Sequence, residues 1–265
     1  MKKLILAAKK RCLNYRIKLL EMSQRVSAIH LGGTFSSTEI LDTVFNILMK
    51  KSERDNFIFS KGHCSALQYV ILKDLKILSE KDLKQYSKSD GKLGVHPEIK
   101  NNGLNASTGS LGQGLSMAAG FALSNRKKNV YVVLSDGELQ EGSTWEAVMA
   151  IRNLNLKNII AIIDNNDLQS LERSSIATPS IYPIDKKFKN FGWDSKICDG
   201  HNTEKIIKTI LNRDKMKPFC LVAKTIKGFP ISYMKNNPIW HYRSPSKNEF
   251  LVAMSELKNM SEFNK

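Results

Sequence analysis

Apolar residues recur at Leu4, Ala8, Cys12, Tyr15, Leu19, Met22, Val26 and Ile29. Gaps of three and four place them on one face of a long opening helix. A polar, glycine-containing turn, HLGGTFSS, follows. Ser36 and Glu39 then have capping-box spacing for a helix over residues 38–51. A third helix begins near Ser65 and carries Leu67, Val70, Ile71 and Leu75. Residues 87–108 are rich in Gly, Asn, Ser and Pro and lack periodicity. A loop that long within a compact domain is usually functional.

Beyond it the pattern changes. Residues 111–123 read as a small-residue helix, and 130–134 as a short unbroken apolar strand. A helix over 145–154 leads to a second buried strand at 159–163. Residues 193–198 make a third strand, 204–211 a helix and 219–225 a fourth strand. The chain from Lys227 is irregular, then helical. Continuous apolar strands separated by helices mean a parallel sheet covered on both faces. The expected fold is one three-layer α/β/α domain spanning all 265 residues, with no repeat and no dividing linker.

Composition adds little to this picture. Hydrophobic residues are 42% and charged residues 25%, ordinary for a globular protein. No apolar run approaches the roughly 18 residues that span a bilayer. The start, MKKLILAAKKRC, has the charge of a signal peptide, but Lys9, Lys10 and Arg11 cut its apolar core short. A cytoplasmic protein is expected. The cysteines at 12, 64, 198 and 220 have no metal-ligand spacing and read as free thiols. The net charge of +16 suits anionic ligands, but the lysines are spread along the chain and few sit beside aromatics. A solvated surface is favoured over a nucleic-acid patch.

Candidate chemistry concentrates at two strand ends. LSDGE places Asp136 just past one strand, and DNNDLQ places Asn166 just past the next, thirty positions later. That interval fits one strand–helix–strand crossover, which brings both loops to the same carboxyl edge, where ligands bind. A carboxylate, an amide oxygen and nearby carbonyls are hard donors suited to Mg²⁺ or Ca²⁺, with phosphate oxygens completing the shell. Gly137 lets the backbone approach a diphosphate closely. The helix starting near Ser143 adds a positive end. Each motif alone is a plain turn or loop; the pair at this spacing is specific.

The pair resembles the GDG–NN signature of thiamine-diphosphate enzymes. That resemblance implies Asp136, Asn166 and the Leu168 carbonyl as ligands of Mg²⁺, with Ca²⁺ or Mn²⁺ as substitutes, and Gly137 and Glu138 beside the diphosphate. Ser135 replaces the first glycine, and Asp167 stands where glycine is common, a departure that bears on either the loop's shape or its local charge. The contexts of His30, His63, His96, His201 and His241 are similar to those of the transketolase family, specifically its separate N-terminal subunits. The similarity runs in order from about His30 to Ser246. It implies that His30, His63, His96 and His241 line the channel over the thiazolium ring, bind sugar hydroxyls and move protons. His63 and His241 would also lie near the diphosphate. Imidazole suits this work because its unperturbed pKa is near neutral. His201 would be structural.

GSLGQG at 109–114 also matches a dinucleotide fingerprint, but NNGLNAST before it makes a poor strand. In transketolases the matching loop supports the aminopyrimidine, which implicates Gly109 and Leu111. Glu141 matches a glutamate at the dimer interface. The family's activating glutamate lies in a second domain, so a C-terminal partner subunit in an α2β2 assembly is expected. The implied reaction transfers a two-carbon ketol unit from a ketose phosphate to an aldose. The rivals are a deoxyxylulose-phosphate synthase, a 2-oxoacid dehydrogenase subunit or a non-catalytic binding protein. His30, His96 with Pro97 and Glu98, and Trp240 to Tyr242 favour transketolase.

Overall fold

The computed structural model describes residues 1–49 and 55–262. Helices α1 (Lys2–Ser23), α2 (Leu31–Ser36) and α3 (Thr38–Thr43) open the chain, and α3 runs into one wide helical turn, Val44–Leu48. Strand β1 (Asn56–Phe59) precedes α4 (Ser65–Asp74) and α5 (Glu80–Lys84). Then come α6 (Gly114–Ser124), β2 (Val130–Ser135), α7 (Gly142–Asn153) and β3 (Ile159–Asn165). The remainder is α8 (Ser174–Ala177), α9 (Ile184–Asn190), β4 (Asp194–Asp199), α10 (Thr203–Leu211), β5 (Phe219–Lys224) and α11 (Lys247–Glu262).

The five strands form one parallel sheet in the order β1-β2-β3-β5-β4. Alternate residues of each central strand feed opposite cores. Tyr131, Val133, Ile160, Ile162, Phe219 and Leu221 face one core, which also takes side chains of α1, α3, α4, α10 and α11. Val132, Leu134, Ala161, Ile163, Cys220 and Val222 face the other, packed by α6, α7 and α9. Burial on both faces explains why β2, β3 and β5 read as unbroken apolar runs. The expected three-layer α/β fold is thus observed. No helix among the described residues is long and apolar enough to cross a membrane.

Several local expectations are corrected. The opening helix stops at Ser23 rather than running to Ile29. Ser23 Oγ bonds the Leu20 carbonyl, and Gln24 Nε2 leaves the helix axis for the Pro245 carbonyl at 3.0 Å. Residues 243 and 244 then strap the following segment, through Arg243 N to Ile29 O and Ser244 Oγ to Val26 O. Ile29 is buried in the core and Val26 packs against it, so tertiary contact rather than helical phase explains their apolar character.

The glycine-containing turn is in fact α2, buried throughout. Only glycine fits there: a Cβ on Gly33 would lie 2.6 Å from Cys64 Sγ. The capping box is absent. Ser36 Oγ bonds Asp164 Oδ2 at 2.6 Å, and Glu39 pairs with Arg16 at 2.6 Å. The helix expected over 38–51 is shorter, and Lys50 and Lys51 lie outside the described residues. Residues 87–108 form a loop without regular elements, as expected.

Candidate active site

The register pairs Ser135 with Asp164, so the loops after β2 and β3 leave the sheet side by side. Asp136 is buried there. Its Oδ1 accepts from the Gly137 amide at 2.8 Å, and its Oδ2 from Asn165 Nδ2 at 3.0 Å and the Asp167 amide at 2.6 Å. Burial pushes the Asp136 carboxyl above its ordinary range; Asn165 opposes this and the like charge of Asp164 adds to it. Asn166 Oδ1 accepts from the Leu168 amide at 3.0 Å, which leaves a second lone pair.

Asp167 adopts φ +58°, the left-handed region that glycine favours and aspartate tolerates. Asp167 Oδ2 accepts from Arg173 at 2.9 Å, and its Oδ1 accepts from the Ser175 amide at 2.9 Å. Ser135 also fits, because its hydroxyl accepts from the Glu138 amide at 3.2 Å and tightens the turn after β2.

Asp136, Gly137, Asn166 and Leu168 line a cleft of about 340 Å³ with His30, His63, His241, Gly109, Leu111 and Glu141. Ring centroids lie 5.0 Å apart for His30 and His63, 5.3 Å for His30 and His241, and 5.6 Å for His63 and His241. Tyr242 stacks on His30 at 4.3 Å. Burial, assisted by neighbouring positive groups, lowers His30 to about 4 and His241 to about 3, and holds His63 well below the usual value. The three rings are therefore neutral near pH 7, each with one donor and one acceptor nitrogen. His30 Nδ1 is buried without a hydrogen-bond partner.

His96 does not join this cluster. It is exposed, beside Gly109, where a Cβ would lie 3.0 Å from His96 Cδ2. Glu138 also departs from expectation, because it does not line the cleft. Its carboxylate accepts from Ser60 Oγ, from the Gly112 amide at 2.8 Å and from the Ser135 amide at 3.4 Å. It braces the 109–114 loop from beneath. Glu141 stands exposed at the rim.

Two lysines here were not singled out in the sequence. Lys61 is buried against Asp164 at 2.5 Å. Lys227 is buried too, with Nζ at 2.8 Å from the Leu168 carbonyl, 2.9 Å from the Gln169 carbonyl and 2.9 Å from His241 Nδ1. The available signal was context: each lysine precedes a glycine just beyond a strand, in SKGH and IKGFP. Gln140 Nε2 meanwhile donates to Gln169 Oε1 at 2.6 Å and ties the two strand-end loops together across the rim.

Among the described residues, no three His, Cys, Asp or Glu side chains gather as a metal site. One carboxylate, one amide oxygen and one backbone carbonyl form a different kind of set, suited to a hard cation that keeps water and phosphate ligands. One observation fits such a cation: Asp136 is buried with no ion-pair partner among the described residues. The Leu168 carbonyl accepts from the Lys227 ammonium at 2.8 Å and keeps a second lone pair. A larger cleft, of about 420 Å³, is lined by Arg16, Glu39 and His201. It lacks the strand-end donors, so size does not select the site.

Residues 8–249 match the family model for the transketolase thiamine diphosphate binding domain. The chain belongs to the transketolase family. An apulose-4-phosphate transketolase subunit of Actinobacillus succinogenes is 35% identical over 245 residues, covering 87% of this chain and 88% of that protein. A 6-deoxy-6-sulfo-D-fructose transketolase subunit of Clostridium sp. is 30% identical over 253 residues, covering 90% of this chain and 92% of that one. The transketolase of Campylobacter jejuni superposes with a TM-score of 0.87 at 27% identity. That match covers 96% of this transketolase-family chain but 43% of the solved one. The chain spans under half the length of that longer transketolase.

Proposed function

We propose that this chain is the diphosphate-binding subunit of a two-subunit transketolase. With a C-terminal partner it transfers a two-carbon ketol unit from a ketose phosphate to an aldose acceptor. The observation that carries the reading is the convergence of Asp136, Asn166 and the Leu168 carbonyl with three neutral histidines in one cleft. Asp136, Asn166 and Leu168 would hold Mg²⁺, and Gly137 would meet the diphosphate. Bound thiamine diphosphate supplies the nucleophilic carbon and the electron sink for the carbon–carbon bond chemistry.

The chain's own residues orient, neutralise and shuttle protons. Lys227, whose ammonium donates to the Leu168 and Gln169 carbonyls and to His241 Nδ1, would set its positive charge beside the diphosphate. His30 and His63 donate to and accept from sugar hydroxyls, while His241, whose Nδ1 accepts from Lys227, donates through Nε2; a neutral imidazole with a free acceptor nitrogen can take a hydroxyl proton and return it. The unpartnered His30 Nδ1 fits a ligand hydroxyl. His96, at the rim, is assigned to the outer end of the sugar, and Glu141 to a contact between assembled copies. Asp136 and Glu141 are the carboxylates lining the cleft among the described residues. The carboxylate that activates the aminopyrimidine is assigned to the partner, completing an α2β2 assembly.

The test is ketol transfer from xylulose 5-phosphate to ribose 5-phosphate with thiamine diphosphate and Mg²⁺, with and without the candidate partner. The names of the matched relatives add apulose 4-phosphate and 6-deoxy-6-sulfofructose as substrates. Activity that needs both proteins and the cofactor is expected. Turnover by the chain alone would overturn the two-subunit reading.

A further inference from the structure

Lys227 reaches into the cleft from a turn that is pinned on both sides. The Thr225 amide donates to the Asn165 carbonyl at 3.1 Å, and Thr225 Oγ1 bonds Asp164 Oδ1. The Gly228 amide donates to the Gly32 carbonyl at 3.0 Å. Between them the Ile226 amide finds no backbone partner; it donates to His201 Nε2 at 2.9 Å. An amide can only donate, so Nε2 must accept and the ring proton must sit on Nδ1. Nδ1 lies 3.0 Å from Glu39 Oε2. Glu39 is in turn gripped by Arg16 through both oxygens, at 2.6 and 2.8 Å. Arg16 Nη2 also donates to the Phe35 carbonyl at 3.0 Å. Phe229 packs on the His201 ring at 4.2 Å and on the Arg16 guanidinium at 5.5 Å.

We propose that His201, oriented by Glu39 and Arg16, is a positioning residue that aims the Lys227 ammonium by holding the Ile226 amide. The chain of contacts runs from α1 through α3 and the β4–α10 loop to the residue just before Lys227. The lysine stem has little room to compensate, because Lys227 is buried, 2% exposed. A shift of the Ile226 peptide is therefore passed on to Nζ and its contacts with Leu168, Gln169 and His241. Attraction between the ammonium and a diphosphate falls as the two charges separate, so a small displacement of Nζ weakens the hold on the anion.

The inference rests on the assignment of Lys227 to the diphosphate, and one thermodynamic cycle tests both. The full chain is titrated calorimetrically with inorganic pyrophosphate in excess Mg²⁺. The proteins are the wild type, His201→Phe, His201→Gln, Lys227→Met and the His201→Phe/Lys227→Met double variant. Phenylalanine keeps the stack on Phe229 but removes the acceptor; glutamine retains an acceptor oxygen. His201→Phe should weaken binding about fivefold, the scale of one net hydrogen bond. His201→Gln should recover most of that loss, and His201→Phe should add nothing once Lys227 is methionine. Equal weakening in both backgrounds, or none in the wild-type background, would overturn the positioning role. Failure of the wild type to bind, or wild-type affinity in Lys227→Met, would instead sink the diphosphate assignment. Should His201→Phe not fold, Glu39→Gln carries the same cycle, with a smaller non-additive loss expected.

Discussion

Two pairs of charged side chains lie around the same strand ends and differ in how they are balanced. On the floor, Lys61 and Asp164 face each other at 2.5 Å, and Ser36 and Ser37 add hydrogen bonds to the carboxylate at 2.6 and 2.8 Å. Burial disfavours both charges, but their mutual attraction prevails: Lys61 is held above its usual range and Asp164 below. In the cleft, Asp136 and Lys227 are as deeply placed, yet neither makes an ion pair among the described residues. Burial there pushes Asp136 up and lowers Lys227 to about 8, with the positive charge of Lys61 assisting. A charge pair closed within the protein holds the fold together. Charges left open in a buried cleft are suited to a ligand that brings the opposite sign.

Lys61→Met tests this contrast with the largest expected effect. It strands the Asp164 carboxylate, so stability should fall by about 3–5 kcal/mol in chemical denaturation; an unchanged midpoint would mean the floor pair is not structural. Asp136→Ala should weaken Mg²⁺-dependent thiamine diphosphate binding by more than about 100-fold, beyond the cost of losing an outer-shell partner. Cofactor affinity equal to wild type would remove Asp136 from the metal. Lys227→Met should lower diphosphate affinity about tenfold, the scale of a charge-assisted hydrogen bond, and leave the unfolding midpoint near the wild-type value. A stability loss as large as that of Lys61→Met would erase the distinction between floor and cleft.

The central strands were readable because parallel strands buried on both faces leave uninterrupted apolar runs. The placement of Asp136 and Asn166 followed from the crossover interval between two such runs. Strand β1 was missed because NFIF is only four residues long and lies at the sheet edge. Short α8 and α9 carry too few turns for a periodic signal. The capping-box reading failed because Ser36 and Glu39 serve distant partners, Asp164 and Arg16, which local spacing cannot reveal. Lys61 and Lys227 were hidden among 41 basic residues, where a lysine reads by default as surface. Glu138 was misplaced because its sequence position beside Gly137 says nothing of the inward turn that points its carboxylate at Ser60 and Gly112.

Two smaller effects refine the comparison at its margins. His96→Ala should reduce kcat/KM about tenfold with an unchanged melting temperature, less than the 10²–10⁴ of a central proton-transfer group. Unaltered steady-state kinetics would remove the rim histidine from the site. Glu39 lies behind the cleft; burial opposes its charge, but Arg16 and His201 together outweigh burial and lower its carboxyl from 4.5 to about 2. Its contribution to stability is therefore complete above pH 4.5 and is lost as pH falls through about 2. Glu39→Gln should flatten that acid limb in pH-dependent unfolding, and an identical limb would show that other carboxyls cause it.

The aspartate at position 167 has a kinetic consequence. A glycine at φ +58° would satisfy the turn but leave the segment many alternative conformations before any ligand arrives. Asp167 narrows that ensemble through Arg173 and Ser175, so the Leu168 carbonyl and Asn166 are held in place in advance. Under the proposed metal assignment, association would then be closer to a simple encounter than to an encounter followed by rearrangement. The ordering entropy that a more mobile loop would lose on each binding event is already lost when the chain folds.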